Sequence, residues 1–369
     1  MLEAELSPMP HRMSRQVVCT AIAVVLSLGT VSFGRAQEPR EDPFEFLAPW
    51  VVVSREDRAR LDRDQVLART LSGKDGQLAV FVATRLNAQP DALVAWTRAI
   101  AELKRSKFVL AIGRFSDPPL LSDLDALTLD QRDLDAIQQC RPGDCGLRLS
   151  APDIEALTAV VATAGTEWRD AAQREFRRRL VTLVTQYRTH GLTALPPPAD
   201  RKKPKRIDDA LTAIVEQSPF LIRLPAVVAW LKEYPHANSA VESFFYWSKE
   251  HYGEGKPVIS VTHVGIVRPG SDHRLPAILV AGKQIFATHY VEGGLGLTMI
   301  VRDATNGARY LAYVNRSQVD LLRGFFGGLM RGVLEDRVER QAPLIVRGLR
   351  ARLESGNPPD EPPDPLTQR

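Results

Sequence analysis

The sequence predicts an α+β fold, with an antiparallel sheet wrapped on a long C-terminal helix and a large helical insertion. Three observations predict it. Four strand-like runs with short turns follow one another after Pro257, at residues 258–267, 277–290, 294–302 and 308–314. An amphipathic helical stretch then runs over 317–341. An early strand at 77–86 is separated from the later ones by helix-patterned sequence at about 120–235.

Residues 37–60 are charged and begin irregularly, and 55–67 has a helical pattern. A turn at 73–76 leads into QLAVFVATRL, where Ala79, Phe81 and Ala83 alternate with Val80, Val82 and Thr84. Pro90 suits the first turn of a helix over 89–104, with Leu93, Trp96, Ile100 and Leu103 on one face. A strand is expected at 108–112. Asp117, Pro118 and Pro119 make 115–121 a loop. A short helix over 130–139 turns Leu134 and Ile137 inward. Ser150 caps a helical region that reaches His190, with relief near Gly165 and Gly191 at its end. Residues 207–215 and 226–232 are helical, and 239–252 is either helical or extended. In the last helix Leu322, Phe325, Phe326, Leu329, Met330, Val333 and Leu334 form the apolar face. Pro343 is expected to interrupt or kink it, with 344–353 as a second segment. The proline-rich tail, 356–369, reads as disordered.

The N-terminal region bears on location. Arg15 precedes an apolar run from Val17 to Phe33, and the small residues Gly34 and Ala36 suit cleavage before Gln37. Residues 1–36 therefore read as a signal peptide, and the protein as periplasmic or secreted. The apolar content is 44% and the net charge only +4, so the pI of about 9.0 overstates the basic character. The basic run RKKPKR, Arg201 to Arg206, reads either as a solvated linker or as peripheral contact with anionic lipid headgroups. No basic stripe interleaved with aromatics accompanies it, so nucleic acid is not an expected partner. Cys140 and Cys145 flank a Pro-Gly turn and read as a disulfide in an oxidising compartment.

The order of early strand, helix, later antiparallel strands and terminal helix resembles the helix-grip fold of START-like proteins. That class includes lipid-transfer domains, plant pollen-allergen relatives and polyketide cyclases. The resemblance rests on element order, with no diagnostic motif. It implies a curved sheet that grips 317–341 around an apolar cavity. On this reading 37–355 is one domain with an insertion at about 120–235. The alternative is a helical domain at 44–190 and a sheet-and-helix domain at 207–355.

No nucleophile elbow, HExxH pair or phosphate loop is present. The candidate acid-base groups are His263, His289 and Glu292, which otherwise read as structural. No metal site or cofactor is expected, since no set of three or four ligands is forced by spacing. Gly293, Gly294 and Gly296 read as turn and close-packing positions at a strand start. Tyr290, Met299, Tyr310, Tyr313, Phe325 and Met330 are candidates to line a ligand cavity, or else ordinary core. The expected function is non-catalytic binding or transport of a hydrophobic small molecule or lipid. The alternatives are a cyclase- or hydrolase-like enzyme using a pocket histidine, and an envelope structural or interaction protein.

Overall fold

The computed structural model describes residues 42–74, 76–236, 241–251, 255–323 and 327–359. Residues 1–36, expected to be a signal peptide, and Phe325 and Phe326 lie outside the described residues. In chain order the elements are α1 (Arg55–Asp62), β1 (Leu67–Leu71), β2 (Gln77–Leu86), α2 (Pro90–Arg98), α3 (Ile100–Lys104), β3 (Val109–Arg114), α4 (Gln131–Gln139), α5 (Ala151–Thr163), α6 (Trp168–His190), α7 (Ile207–Glu216), α8 (Pro225–Glu233), β4 (Glu242–Glu250), β5 (Val258–Val267), β6 (Ile278–Ala287), β7 (Val291–Arg302), β8 (Arg309–Val319) and α9 (Gly327–Glu354). The eight strands form one antiparallel sheet in the order β1-β2-β8-β7-β6-β5-β4-β3. The helical insertion α4–α8 lies between β3 and β4, so the sheet draws strands from both sides of it.

Local chemistry explains most element ends. Ser54 and Asp57 form a reciprocal capping box on α1. Asp130 accepts from the Asp133 N–H, and Ser150 from the Asp153 N–H, at the starts of α4 and α5. Pro90 stands at the start of α2, where a missing N–H costs nothing. Gly191 ends α6 at φ 75°, a conformation that side chains with a Cβ rarely adopt.

Several expectations are refined or corrected. The helix over 55–67 stops at Asp62, and Leu67 instead starts β1, a short edge strand of which only Leu67 is buried. The helix over 89–104 divides at Ala99 into α2 and α3. The ambiguous run at 239–252 contains strand β4. Residues 317–319 extend β8, because Ser317 and Gln318 pair with Leu78 and Gln77 of β2. Among the described residues the terminal helix runs from Gly327 to Glu354, and it continues through Pro343.

Alternation along the strands sends side chains to two differently covered faces. The insertion face carries Phe81, Phe245, Val261, Leu279, Leu297, Met299 and Val314 into two buried clusters. These are completed by α1, α7 and α8 on one side and by α4, α5 and α6 on the other. The opposite face, the α9 face, meets α2, α3 and α9 around Val82, Trp96, Ile266, Ile300, Leu311 and Val346. Each fully buried side chain of this size contributes roughly 1.5–3 kcal/mol relative to exposure. Helix α9 packs along β1 and β2. Its fully buried anchors, Val346 and Leu353, lie in its second half, while Val333 is 44% exposed.

Cys140 and Cys145 form a disulfide with their Cα atoms 4.3 Å apart. Their turn pairs with the start of the basic run. The Gly143 N–H donates to the Ala199 carbonyl and the Cys145 N–H to that of Asp200.

Candidate functional site

The two faces of the sheet differ most at its centre. On β6, β7 and β8, the insertion-face residues Ala281, Lys283, Leu297, Met299, Val314 and Arg316 are all buried. Their neighbours on the α9 face are half-exposed: Gly282 and Gln284, Gly296 and Thr298, then Tyr313, Asn315 and Ser317. Helix α9 forms one flank of this strip. Met330, Leu334, Val338 and Ala342 recur every fourth residue and are half-buried. Among the described residues of α9, none before Val346 is buried. Lys104, at the end of α3, borders the strip from the other side. It donates to Glu250 Oε1 at 2.6 Å and to Tyr246 Oη at 3.1 Å. Ser248 donates to the same carboxylate oxygen at 2.7 Å.

Glycines pave the floor. Gly282 on β6 faces Gly296 on β7 across the ladder. A methyl carbon built on Gly296 would lie 3.3 Å from Tyr313 Oη and 3.6 Å from Asn315 Nδ2. One built on Gly294 would lie 2.9 Å from Gln284 Oε1 and 3.2 Å from Ser317 Oγ. Four neutral hydrogen-bonding groups thus close over these glycines, where any larger side chain would have to displace them. Burial pushes the Tyr313 hydroxyl up to about 12, so it remains a donor at physiological pH. The arrangement places hydrogen-bonding groups along the strands beside the apolar stripe of α9.

The predicted cavity residues divide. Tyr313 lies on this strip, and Met330 is half-buried on its flanking helix. Met299 and Tyr310 are buried in the insertion-face core, so they cannot line the same cavity. Tyr310 is three residues from Tyr313, an odd spacing that places the two on opposite faces. Tyr290 stands between β6 and β7 at φ 61°, where its hydroxyl accepts from the Lys256 N–H at 2.9 Å. Gly293, Gly294 and Gly296 lie inside β7 rather than at a turn. Gly282, Gln284, Thr298, Asn315 and Ser317 join the strip without having been expected there. The available signal is glycine inside strands, which marks close approach by a ligand or another backbone.

The candidate acid-base groups do not converge. His263 is fully buried on the insertion face, with its Nδ1 3.0 Å from Tyr187 Oη and Phe245 stacked on its ring. Burial, and then the neighbouring Lys283, holds its pKa well below the usual histidine value. Its ring meets aromatic side chains rather than a carboxylate: Tyr187, Trp230, Tyr234 and Phe245 surround it. His289 Nε2 lies 2.9 Å from Asp133 Oδ1, and both side chains are buried. Glu292 pairs with Arg323 at 2.7 Å and faces Arg148 at 3.7 Å. Asp133 belongs to α4 and Arg148 precedes α5, so these contacts fasten the insertion to the β6–β7 end of the sheet.

Elsewhere, a depression of about 570 Å³ between α2 and the end of α9 opens broadly to solvent. A cavity of about 50 Å³ beside Arg148, Asp153 and Glu292 has room for little more than a water molecule. Among the described residues, no group of three or more His, Cys, Asp or Glu side chains is arranged to hold a metal ion. No helix among them is long and apolar enough to cross a membrane. The basic run is partly engaged: Arg201 pairs with Asp200 and Asp320, and Lys205 donates to Gln318.

No family model matches the chain, and no curated protein matches it. Among solved structures, the crystal structure of TTHA0849 from Thermus thermophilus is similar to it at 12% sequence identity. The similarity covers 36% of this chain and 83% of that one, with a TM-score of 0.24. The fold itself is an antiparallel sheet packed against helices, loosely like a helix-grip arrangement.

Proposed function

We propose that the protein binds a hydrophobic or amphipathic small molecule, such as a lipid, without chemical conversion. The binding surface is the strip between α9 and α3, in the manner of a START-like domain working outside the cytoplasm. One observation carries the reading. The centre of an eight-stranded sheet is left half-exposed on one face alone, with glycines and neutral polar side chains beside an apolar stripe of α9. A sheet centre with no ligand to accommodate gains stability from larger buried side chains there, and glycine within a strand weakens it.

The neutral fluorophore N-phenyl-1-naphthylamine, titrated into the full-length protein, tests this. Saturable binding is expected, and Gly282→Val should weaken it by roughly tenfold or more, equivalent to about 1.4 kcal/mol. The substitution suits a strand, and the new Cβ meets Thr262 Cγ2 at 3.4 Å, an ordinary contact. Absence of probe binding, or full binding by a folded Gly282→Val protein, would overturn the proposal.

A further inference from the structure

The chemistry of the strip bears on which amphiphiles it accepts. The side chains that close over Gly294 and Gly296 are Gln284, Tyr313, Asn315 and Ser317. None carries a charge. Ser317 Oγ donates to Asn315 Oδ1 at 2.9 Å, which leaves the Asn315 amide nitrogen on the side of Gly296 and Tyr313. The strip therefore offers donors at Tyr313 and Asn315 and an acceptor at Gln284 Oε1.

The charges that border the strip on its α3 side are already paired. Lys104 donates to Glu250 and to Tyr246, and Ser248 donates to the same Glu250 oxygen. A carboxylate or phosphate head would have to compete with Glu250 for Lys104. A cationic head would have to compete with Lys104 for Glu250. Breaking a buried pair in this way is costly, whereas a hydroxyl or carbonyl needs only the neutral donors and acceptor.

We infer that the bound molecule presents an uncharged, oxygen-bearing polar end to Gln284, Tyr313 and Asn315, as a long-chain alcohol or a glycerol monoester does. The inference rests on the binding role proposed above and deepens it. Neutral groups of this kind discriminate by leaving themselves unpaired when the wrong head enters.

The test is displacement of N-phenyl-1-naphthylamine from the full-length protein by four ten-carbon competitors below their micelle concentrations. These are 1-decanol, monodecanoylglycerol, decanoate and decyltrimethylammonium. The two uncharged competitors should displace the probe at concentrations roughly tenfold lower than either ion. Tyr313→Phe and Asn315→Leu should each shrink that preference to less than about threefold. Equal or better displacement by decanoate or decyltrimethylammonium would overturn the inference and leave the binding role standing. So would a preference that survives both Tyr313→Phe and Asn315→Leu. Failure of the probe to bind at all would overturn both.

Discussion

The two faces of this sheet are built from the same strands and solve different problems. On the insertion face the residues at the centre are buried, including two bases held by neutral groups. Lys283 donates to the carbonyls of Trp230 and Leu231 at the end of α8, and lies over the rings of Tyr187, Trp230 and Tyr234. Arg316 donates to Gln77 and Gln217 and stacks on Trp50. Backbone carbonyls, amides and aromatic faces stand there in place of acids. On the α9 face the same strands carry glycines and small neutral polar groups, and the covering helix stands to one side. One face maximises burial while the other keeps surface available. Sealed packing does not require uniformly apolar residues, and an available surface does not require charged ones.

The largest effect expected from this contrast is on the sealed face and depends on pH. Burial lowers the Lys283 pKa from 10.5 to about 7. Between these values the unfolded chain holds a proton that the folded chain lacks. Stability should therefore rise with pH across that window, by up to roughly 1.4 kcal/mol per pH unit. Below about pH 7 this contribution is flat, with the full penalty present. Urea unfolding at about pH 8 and about pH 10, comparing the natural protein with Lys283→Met, isolates the slope. Matching slopes in the two proteins would show that Lys283 keeps its proton and that the carbonyls and rings suffice to hold it charged. His263 acts in the same sense at lower pH: its lowered pKa means stability is lost as pH falls through the unfolded value near 6.5.

A second comparison uses adjacent residues of β7. Leu297 is 1% exposed in the insertion-face core, and Thr298 is half-buried on the strip. Leu297→Ala should destabilise by about 2–5 kcal/mol through lost burial and a residual cavity. Thr298→Ala should change stability by less than about 1 kcal/mol, because surface already reached by solvent loses little. Thermal or urea unfolding of both variants measures the difference directly. Comparable losses would mean that the strip is packed as tightly as the core.

Much of this contrast is legible in the sequence. The strict alternation of 77–86 and the four late strand runs mark the sheet, and Ser150, Pro90 and Gly191 mark helix ends. The division between faces is legible in principle, since Tyr310 and Tyr313 differ by an odd number of positions. Selecting cavity residues by type rather than by parity joins them wrongly. The start of α9 is hidden because Ser317 and Gln318 pair with β2, on the far side of the insertion, which no local pattern reveals. Lys283 looks unremarkable as a lone charge within a strand. Its environment depends on Trp230, 53 residues away, arriving on α8.

The smallest expected effect tests where sealed packing ends on the α9 face. Thr84 on β2 is fully buried two residues from Val82, and its hydroxyl has no hydrogen-bond partner among the described residues. An unpaired buried hydroxyl carries a desolvation penalty, and replacing it with a methyl group of the same shape removes that penalty. Valine also suits a strand. Thr84→Val should therefore leave stability unchanged or raise it by up to about 1 kcal/mol, with probe binding in the strip unaffected. Calorimetric unfolding supplies the first value and fluorescence titration the second. A loss of more than about 1 kcal/mol would mean that the hydroxyl is satisfied, by water or by a neighbour. The polar strip would then reach beneath α9 as far as β2, and the boundary between the helix-covered and open parts of this face would have to be redrawn.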